Sequence, residues 1–249
     1  MKVVFFSWRQ FWGILLVVII ALAAVGGFGA YISQGSAQSV SAPVHYQGST
    51  GDKVVALDVN VDWGEEYVPQ MLDILAKEKV YVTFFVTGTW AQKHPDLVRV
   101  MAEKGHDVES HGHRHLHLTQ ASDQVVNDEL TAAEDVITEA TGRKPVLFAP
   151  PFGETDARIS KLAASRGYQV IMWSLDTIDW QRPSPDVIAQ RILKRLHNDA
   201  IVLMHPTAPT VKALPDMISE LKKQGYKIKK VQEIIPRPSK VTEISYDQE

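Results

Sequence analysis

Four histidines lie within seven residues of this chain, in the run HGHRHLH. His111 and His115 are four residues apart, so one helical turn would bring both imidazoles to a common face. Neutral imidazole suits zinc, cobalt or nickel, and a carboxylate often completes such a ligand set. We therefore predict a divalent-metal site at His111 and His115, with a solvated histidine-rich turn as the alternative. His113 and His117 are expected to lie outside the ligand set.

A second polar group interrupts a valine-rich segment. Asp58, Asn60 and Asp62 alternate along it, and side chains two apart on a strand share one face. Burying them without partners would be costly. They either cap a turn, for which Asp is well suited, or they supply the carboxylate that joins the two histidines.

Two further groups stand at the ends of predicted strands. His205 ends the apolar run IVLM, and a general acid needs a group that titrates near neutrality, as histidine does. Asp179 is placed to orient or tune this histidine. Trp180, which follows it, either offers a flat face to a sugar ring or packs a loop.

The elements that must position these groups alternate between strands and helices. Strands are predicted at 53–61, 80–86, 107–110, 146–149, 168–175, 200–204 and 226–231. Helices are predicted at 67–79, 91–104, 122–141 and 156–166, from 184 onward, and at 211–224. This alternation predicts an α/β fold, a distorted (β/α) barrel of about seven parallel strands, with the site at the carboxyl ends of the strands.

The N-terminal part differs in composition from the rest. Residues 11–32 form an uncharged apolar run that is long enough to span a membrane. Lys2 and Arg9 precede it and no Lys or Arg follows until Lys53, so residues 1–10 are expected in the cytoplasm and the remainder outside. Cleavage near Ala37, as in a signal peptide, is the alternative.

The boundaries that follow are a transmembrane signal-anchor at 11–32, a flexible Ser- and Gly-rich linker at 33–51, a catalytic domain at 52–236 and a C-terminal tail at 237–249. The predicted location is membrane-anchored and extracytoplasmic.

Overall composition excludes several classes of function. The 249 residues carry a formal net charge of −3 and include no cysteine. Nucleic-acid binding is not indicated, because no basic excess is present. Any metal must be held by histidine and carboxylate. A phosphoester hydrolase is a weaker possibility, because the chain has neither a glycine-rich phosphate loop nor the acidic residues of a two-metal centre.

In this order, these groups resemble the motifs of the NodB-type polysaccharide deacetylases (carbohydrate esterase family four), over about residues 52 to 235. The resemblance is strongest to the sporulation-associated branch of spore-forming Gram-positive bacteria. The matches are His-x-x-x-His at His111 and His115, Asp-x-x-Asp-Trp at Asp176, Asp179 and Trp180, Leu-x-His at Leu203 and His205, and, in part, Arg-x-Pro-x-Gly at Ala149–Gly153.

The resemblance implies a hydrolase that removes N-acetyl groups from amino sugars of a cell-wall polysaccharide, with peptidoglycan favoured. It implies a divalent metal, zinc before cobalt or nickel, held by Asp62, His111 and His115. His205 would be the general acid, supported by Asp179. The residues expected to shape the glycan site are Trp63, Pro151, Phe152, Trp180 and Leu203.

Two departures from the family pattern concern the catalytic base. Asn60 stands where the family has a base Asp, and Ala149 stands where it has the Arg that pairs with that base. Asp62 is also displaced by one residue. Asp58 or Asp62 would have to take the missing role, and the sequence does not choose between them. The expectations are a deacetylase of weak activity or a degenerate one that binds metal or glycan in the envelope. The glycan and the oligomeric state stay open.

Overall fold

The computed structural model describes residues 43–236, and within that range nine strands form one parallel sheet. The strands are β1 (Val44–His45), β2 (Val54–Val61), β3 (Thr83–Val86), β4 (Asp107–Ser110), β5 (Leu147–Phe148), β6 (Gln169–Ile171), β7 (Leu175–Asp176), β8 (Ala200–Met204) and β9 (Lys227–Lys229). Their order is β1-β6-β5-β4-β3-β2-β8-β7, and β9 also pairs with β2. The sheet curls into a parallel half-barrel, consistent with the predicted distorted barrel.

Eight α-helices accompany the sheet in the same range. They are α1 (Val68–Glu78), α2 (Gly88–Lys93), α3 (Pro95–Glu103), α4 (Asp123–Thr141), α5 (Ala157–Ser165), α6 (Pro185–Leu193), α7 (Ala208–Lys223) and α8 (Val231–Ile234). The predicted helix 91–104 begins earlier and is split at His94, before Pro95, because proline cannot donate the backbone hydrogen bond that would continue a helix. The predicted strand 168–175 is likewise two strands, β6 and β7.

The described end of the predicted linker is a packed segment. β1 pairs with β6, and Gln47 forms an antiparallel bridge with Ala200 at the start of β8. Asp199 accepts hydrogen bonds from the Thr50 hydroxyl and the Gly51 amide, each at 2.6 Å. The flexible-linker prediction is therefore wrong for residues 43–51. The contacts of this segment are mostly hydrogen bonds of backbone and polar side chains, with Val44 as an apolar contact, so its Ser- and Gly-rich composition did not indicate them.

The predicted anchor at 11–32 and the tail at 237–249 lie outside the described residues. Between residues 43 and 236, no helix has both the length and the apolar character needed to cross a membrane.

Strand β2 separates two regions of the core. Val55, Leu57, Val59 and Val61 pack in a cluster with residues of the surrounding helices. The alternate residues face the other side of the sheet, where Ala56 packs against α8. Asp58 and Asn60 belong to this second face, so β2 carries polar side chains into the interior of the half-barrel.

Asp58 is fully buried, and neither of its carboxyl oxygens has a hydrogen-bond partner. Burial raises the pKa of this carboxyl well above its usual range. It is therefore protonated in the folded protein over pH values at which the unfolded chain would ionise it.

We predict that Asp58→Asn stabilises the protein at neutral pH and that the gain shrinks as the pH falls toward about 4. The folded state binds a proton that the unfolded state releases, so the stability of the natural protein falls as the pH rises through this window. Asparagine is neutral throughout and removes that dependence. Urea unfolding of both proteins between pH 4 and pH 8 measures the difference.

Asp73→Asn is the matched control, because Asp73 is exposed on α1 and should change stability little at any pH. Destabilisation by Asp58→Asn across the whole pH range would show that the carboxyl of Asp58 is paired or charged in the fold.

Candidate active site

A pocket of about 490 Å³ opens at the carboxyl ends of the strands. Its lining is a mixture of imidazole, carboxylate and aromatic side chains, namely Asn60, Asp62, Trp63, His111, His115, Phe152, Gly153, Trp173, Asp176, Trp180, Leu203 and His205. Nine of these were predicted as site residues from the sequence. Asp58, Pro151 and Asp179, also predicted, are not among the residues that line the pocket.

The two predicted metal ligands are brought together by a loop and not by a helical turn. Residues 111–117 follow β4 without regular secondary structure, and His115 has a φ of 55°, in the left-handed region. The imidazole centroids of His111 and His115 are 5.0 Å apart. The sequence spacing therefore predicted the proximity correctly from the wrong local structure.

His111 has a fixed orientation and charge state. Its Nδ1 donates to the backbone carbonyl of Ala149 at 2.7 Å, which leaves Nε2 as its acceptor nitrogen. Burial, with a smaller effect from the neighbouring His115, lowers the pKa of His111 to about 3. His111 is therefore a neutral imidazole at physiological pH, the form that binds metals.

Asp62 lies on the same side of the pocket as these histidines. Thr87, the last residue before α2, donates its hydroxyl proton to Asp62 Oδ1 at 2.8 Å. Burial lowers the pKa of His115, and the charge of Asp62 opposes that shift. Sequence analysis missed Thr87, since a lone Thr at a strand end is typical of a helix cap, a role that it also has here.

The donor types fit a divalent metal. They are the imidazole of His111, which is fixed and neutral, the imidazole of His115, whose pKa is lowered, and the carboxylate of Asp62. In residues 43–236, however, no three His, Asp or Glu side chains converge as a formed metal centre. His111 and His115 are adjacent, and Asp62 has its Oδ1 bonded to Thr87.

The same pocket contains His205, which is ordered by its pairing with Asp179. Asp179 is fully buried and accepts hydrogen bonds from His205 Nδ1 at 2.8 Å, from the His205 backbone amide at 2.7 Å and from the Thr210 hydroxyl at 2.6 Å. Because Nδ1 is bonded to Asp179, His205 presents Nε2 to the pocket. Trp63 lies parallel to the His205 ring, with 5.9 Å between centroids.

Aromatic side chains form the rim of the pocket. Trp63, Phe152 and Trp180 are 37%, 51% and 54% exposed, which leaves their faces available to a sugar ring. Trp173 was not predicted; it lies so close to Gly153 that a Cβ there would come within 2.5 Å of its ring. Pro151 is buried behind the rim.

The position of the missing base is also in the pocket. Asn60 lines the pocket and is only 4% exposed. Its Oδ1 has no hydrogen-bond partner. Ala149 is fully buried at the end of β5. Asp58 lies two residues deeper along β2 and does not reach the pocket lining, so its location does not favour it as the base.

Comparison with known proteins gives the same family as these motifs. The polysaccharide deacetylase family model matches residues 47–171. Among curated relatives, the uncharacterized protein YlxY of Bacillus subtilis is 36% identical over 190 residues, which cover 76% of this chain and 60% of YlxY. Peptidoglycan-N-acetylmuramic acid deacetylase PdaA of Bacillus subtilis is 31% identical, over 76% of this chain and 74% of PdaA.

Among solved structures, a CE4 family pseudoenzyme from Bacillus anthracis has a TM-score of 0.77 and 38% identity, covering 79% of this chain and 70% of its own. A mutant of that pseudoenzyme is described as having restored enzymatic activity. PdaA itself has a TM-score of 0.73. This chain belongs to the polysaccharide deacetylase family.

Proposed function

We propose that this chain is a metal-dependent N-deacetylase of the amino sugars of peptidoglycan whose turnover is slow because its site lacks an anionic base. The observation that carries the proposal is that His205, held by Asp179, lines the same pocket as the His111–His115 pair. Peptidoglycan deacetylases among the relatives support the substrate class.

The acid half of the reaction follows from hydrogen bonding. Asp179 holds His205 through both the ring and the backbone, so its imidazole is oriented before a substrate arrives. From Nε2, His205 would donate a proton to the amine nitrogen as the C–N bond breaks. Because Nδ1 is held by Asp179, Nε2 is the ring nitrogen from which this proton would leave.

The metal half rests on the donor set. His111, His115 and Asp62 would hold a divalent ion, zinc in our proposal, and it would supply Lewis acidity at the acetamide carbonyl. Thr87 would keep Asp62 turned toward the pocket. Trp63, Phe152 and Trp180 would bind the faces of the sugar rings, and Leu203 would form part of the pocket floor.

The base half is incomplete. Asn60 has no proton-accepting group at neutral pH, and Ala149 supplies no cation to an anion beside it. General-base assistance is worth about 10²–10⁴ in rate. Asp62 lines the pocket, but it is already assigned to the metal. We therefore expect turnover below that of complete sites by a factor in this range.

A second function, binding of peptidoglycan without turnover, is favoured by one specific observation. Asn60 stands in place of the catalytic base Asp, and Ala149 stands in place of the Arg that pairs with that base. A 38% identical relative is described as a pseudoenzyme. The same rim aromatics would serve this function, with the His205–Asp179 pair as a polar contact to the glycan.

Location is a further part of the proposal. The uncharged run at 11–32, with Lys2 and Arg9 before it, supports an anchor that leaves the domain outside the cytoplasm. Protease treatment of intact protoplasts should degrade the domain; complete protection would contradict this topology.

We predict that the full-length protein releases acetate from peptidoglycan only when it is loaded with zinc or cobalt. The measurement is acetate release by metal-stripped and reconstituted protein. His205→Ala should lower the rate by about 10²–10⁴-fold while metal is still bound, and His111→Ala should lose metal and activity together. Peptidoglycan binding without acetate release, in metal-loaded protein, would establish the second function.

We predict that Asn60→Asp raises acetate release by at least about tenfold, because it restores a proton acceptor in the pocket. Adding Ala149→Arg should raise it further, since a cation would then stabilise the new carboxylate. The control is Asn198→Asp, which adds the same charge at an exposed site before β8. A fall in activity in Asn60→Asp would show that Asn60 itself contributes to turnover.

A further inference from the structure

We propose that Glu129 on α4 is the positioning residue that holds the histidine loop, residues 111–117, in the conformation that presents His111 and His115 to the pocket. This inference rests on the proposed function for its consequence, because it concerns the two residues assigned there to the metal. The loop geometry itself is independent of that assignment.

Glu129 occupies an unusual place for a carboxylate. Its neighbours on the buried face of α4 are Val126, Leu130, Ala133 and Ile137, and its own side chain is only 1% exposed. A carboxylate buried among apolar side chains is strongly destabilising unless hydrogen bonds satisfy it. A carboxylate at this position therefore needs hydrogen-bond donors close to both of its oxygens.

Those partners belong to the histidine loop. Glu129 Oε2 accepts the backbone amides of His113 at 3.0 Å and Arg114 at 2.7 Å. Glu129 Oε1 accepts Arg114 Nε at 2.6 Å. Two successive amides thus converge on one oxygen, and hydrogen bonds to a charged acceptor are the stronger kind.

The opposite side of the loop is held by α2. The amides of Gly88 and Thr89, in its first turn, donate to the carbonyls of Gly112 and His113, each at 2.9 Å. A Cβ on Gly88 would come within 2.1 Å of His113 Nδ1, so the loop packs directly against this helix. The loop is therefore clamped between the amides of α2 and the carboxylate of Glu129.

This clamp explains how the loop keeps a conformation that its residues disfavour. His115 has a positive φ of 55°, a backbone conformation that is unfavourable for a non-glycine residue. Fixing the amides of residues 113 and 114 sets the direction in which the chain enters His115. Without Glu129 both amides would lose their acceptor, and the loop could relax to a lower-energy backbone.

A graded set of variants tests this role. Glu129→Ala removes both amide acceptors. Glu129→Gln keeps one carbonyl oxygen for the amides but turns a donor toward Arg114. Arg114→Ala removes the ion pair and leaves the backbone clamp intact. Glu134→Ala on the same helix is the control, because Glu134 pairs with Lys144 and has no bond to the loop.

The first measurement is amide hydrogen exchange of His113 and Arg114 in the metal-free full-length protein. We expect Glu129→Ala to lose at least about tenfold of their protection, Glu129→Gln to lose less, and Arg114→Ala and Glu134→Ala to keep it. This measurement decides the clamp even if the protein binds no metal, an outcome that would overturn the proposed function alone.

The second measurement is zinc affinity by competition with a chelating dye, together with the visible absorption spectrum of the cobalt form. Loss of residues that orient metal ligands typically costs about 10–100-fold in affinity, and we expect that range for Glu129→Ala, with an altered cobalt spectrum. A general loss of stability would not alter the spectrum of the folded fraction. Should Glu129→Ala fail to fold, the comparison of Glu129→Gln with Arg114→Ala replaces it.

The proposal is overturned if Glu129→Ala and Glu129→Gln keep the amide protection of the natural protein at residues 113 and 114 within twofold, whatever their zinc affinity.

Discussion

Strand β2 is the constraint on which the rest of the site depends. All eight of its residues are buried, and it pairs with β3, β8 and β9. A strand fixed on both edges cannot shift its register, since a one-residue slip would exchange its two faces. Its apolar face therefore points to the helices, and Asp58 and Asn60 must point inward. The end of β2 then places Asp62 in the pocket, close enough to His115 for its charge to act on that imidazole.

The two halves of the pocket differ in how completely they are organised. Asp179 accepts hydrogen bonds from three donors, two of them on His205 and one on Thr210 of α7. Asn60 has an unpartnered buried oxygen, and Asp58 beneath it has two. Unsatisfied buried polar atoms are rare in folded proteins and indicate strain or function. The side chain of His205 is therefore fixed by hydrogen bonds, whereas these oxygens of Asp58 and Asn60 are buried without a partner.

Sequence patterns predicted the strands well because valine-rich runs with Gly or Pro at their ends leave few alternatives. They also placed His111, His115 and His205 at one rim, since parallel strands share their carboxyl ends. They failed where backbone hydrogen bonds determine the local structure. Strand β1 lies in a segment without apolar periodicity, and the histidine loop is not a turn of helix. For Glu129 the sequence carries one usable signal: a charged residue stands on α4 at a position where the helical spacing of the apolar residues predicts burial.

Two strained loops meet at the wall of the pocket. Phe152 has a φ of 59°, and its ring packs edge-on to His115 with 4.4 Å between centroids. The same ring stacks on His117 at 3.8 Å, and His117 is bonded to Glu154. Residues in disfavoured backbone conformations persist only when their surroundings over-determine them. The loops after β4 and β5 therefore depend on each other, and a change in one would move both the imidazole pair and the aromatic rim.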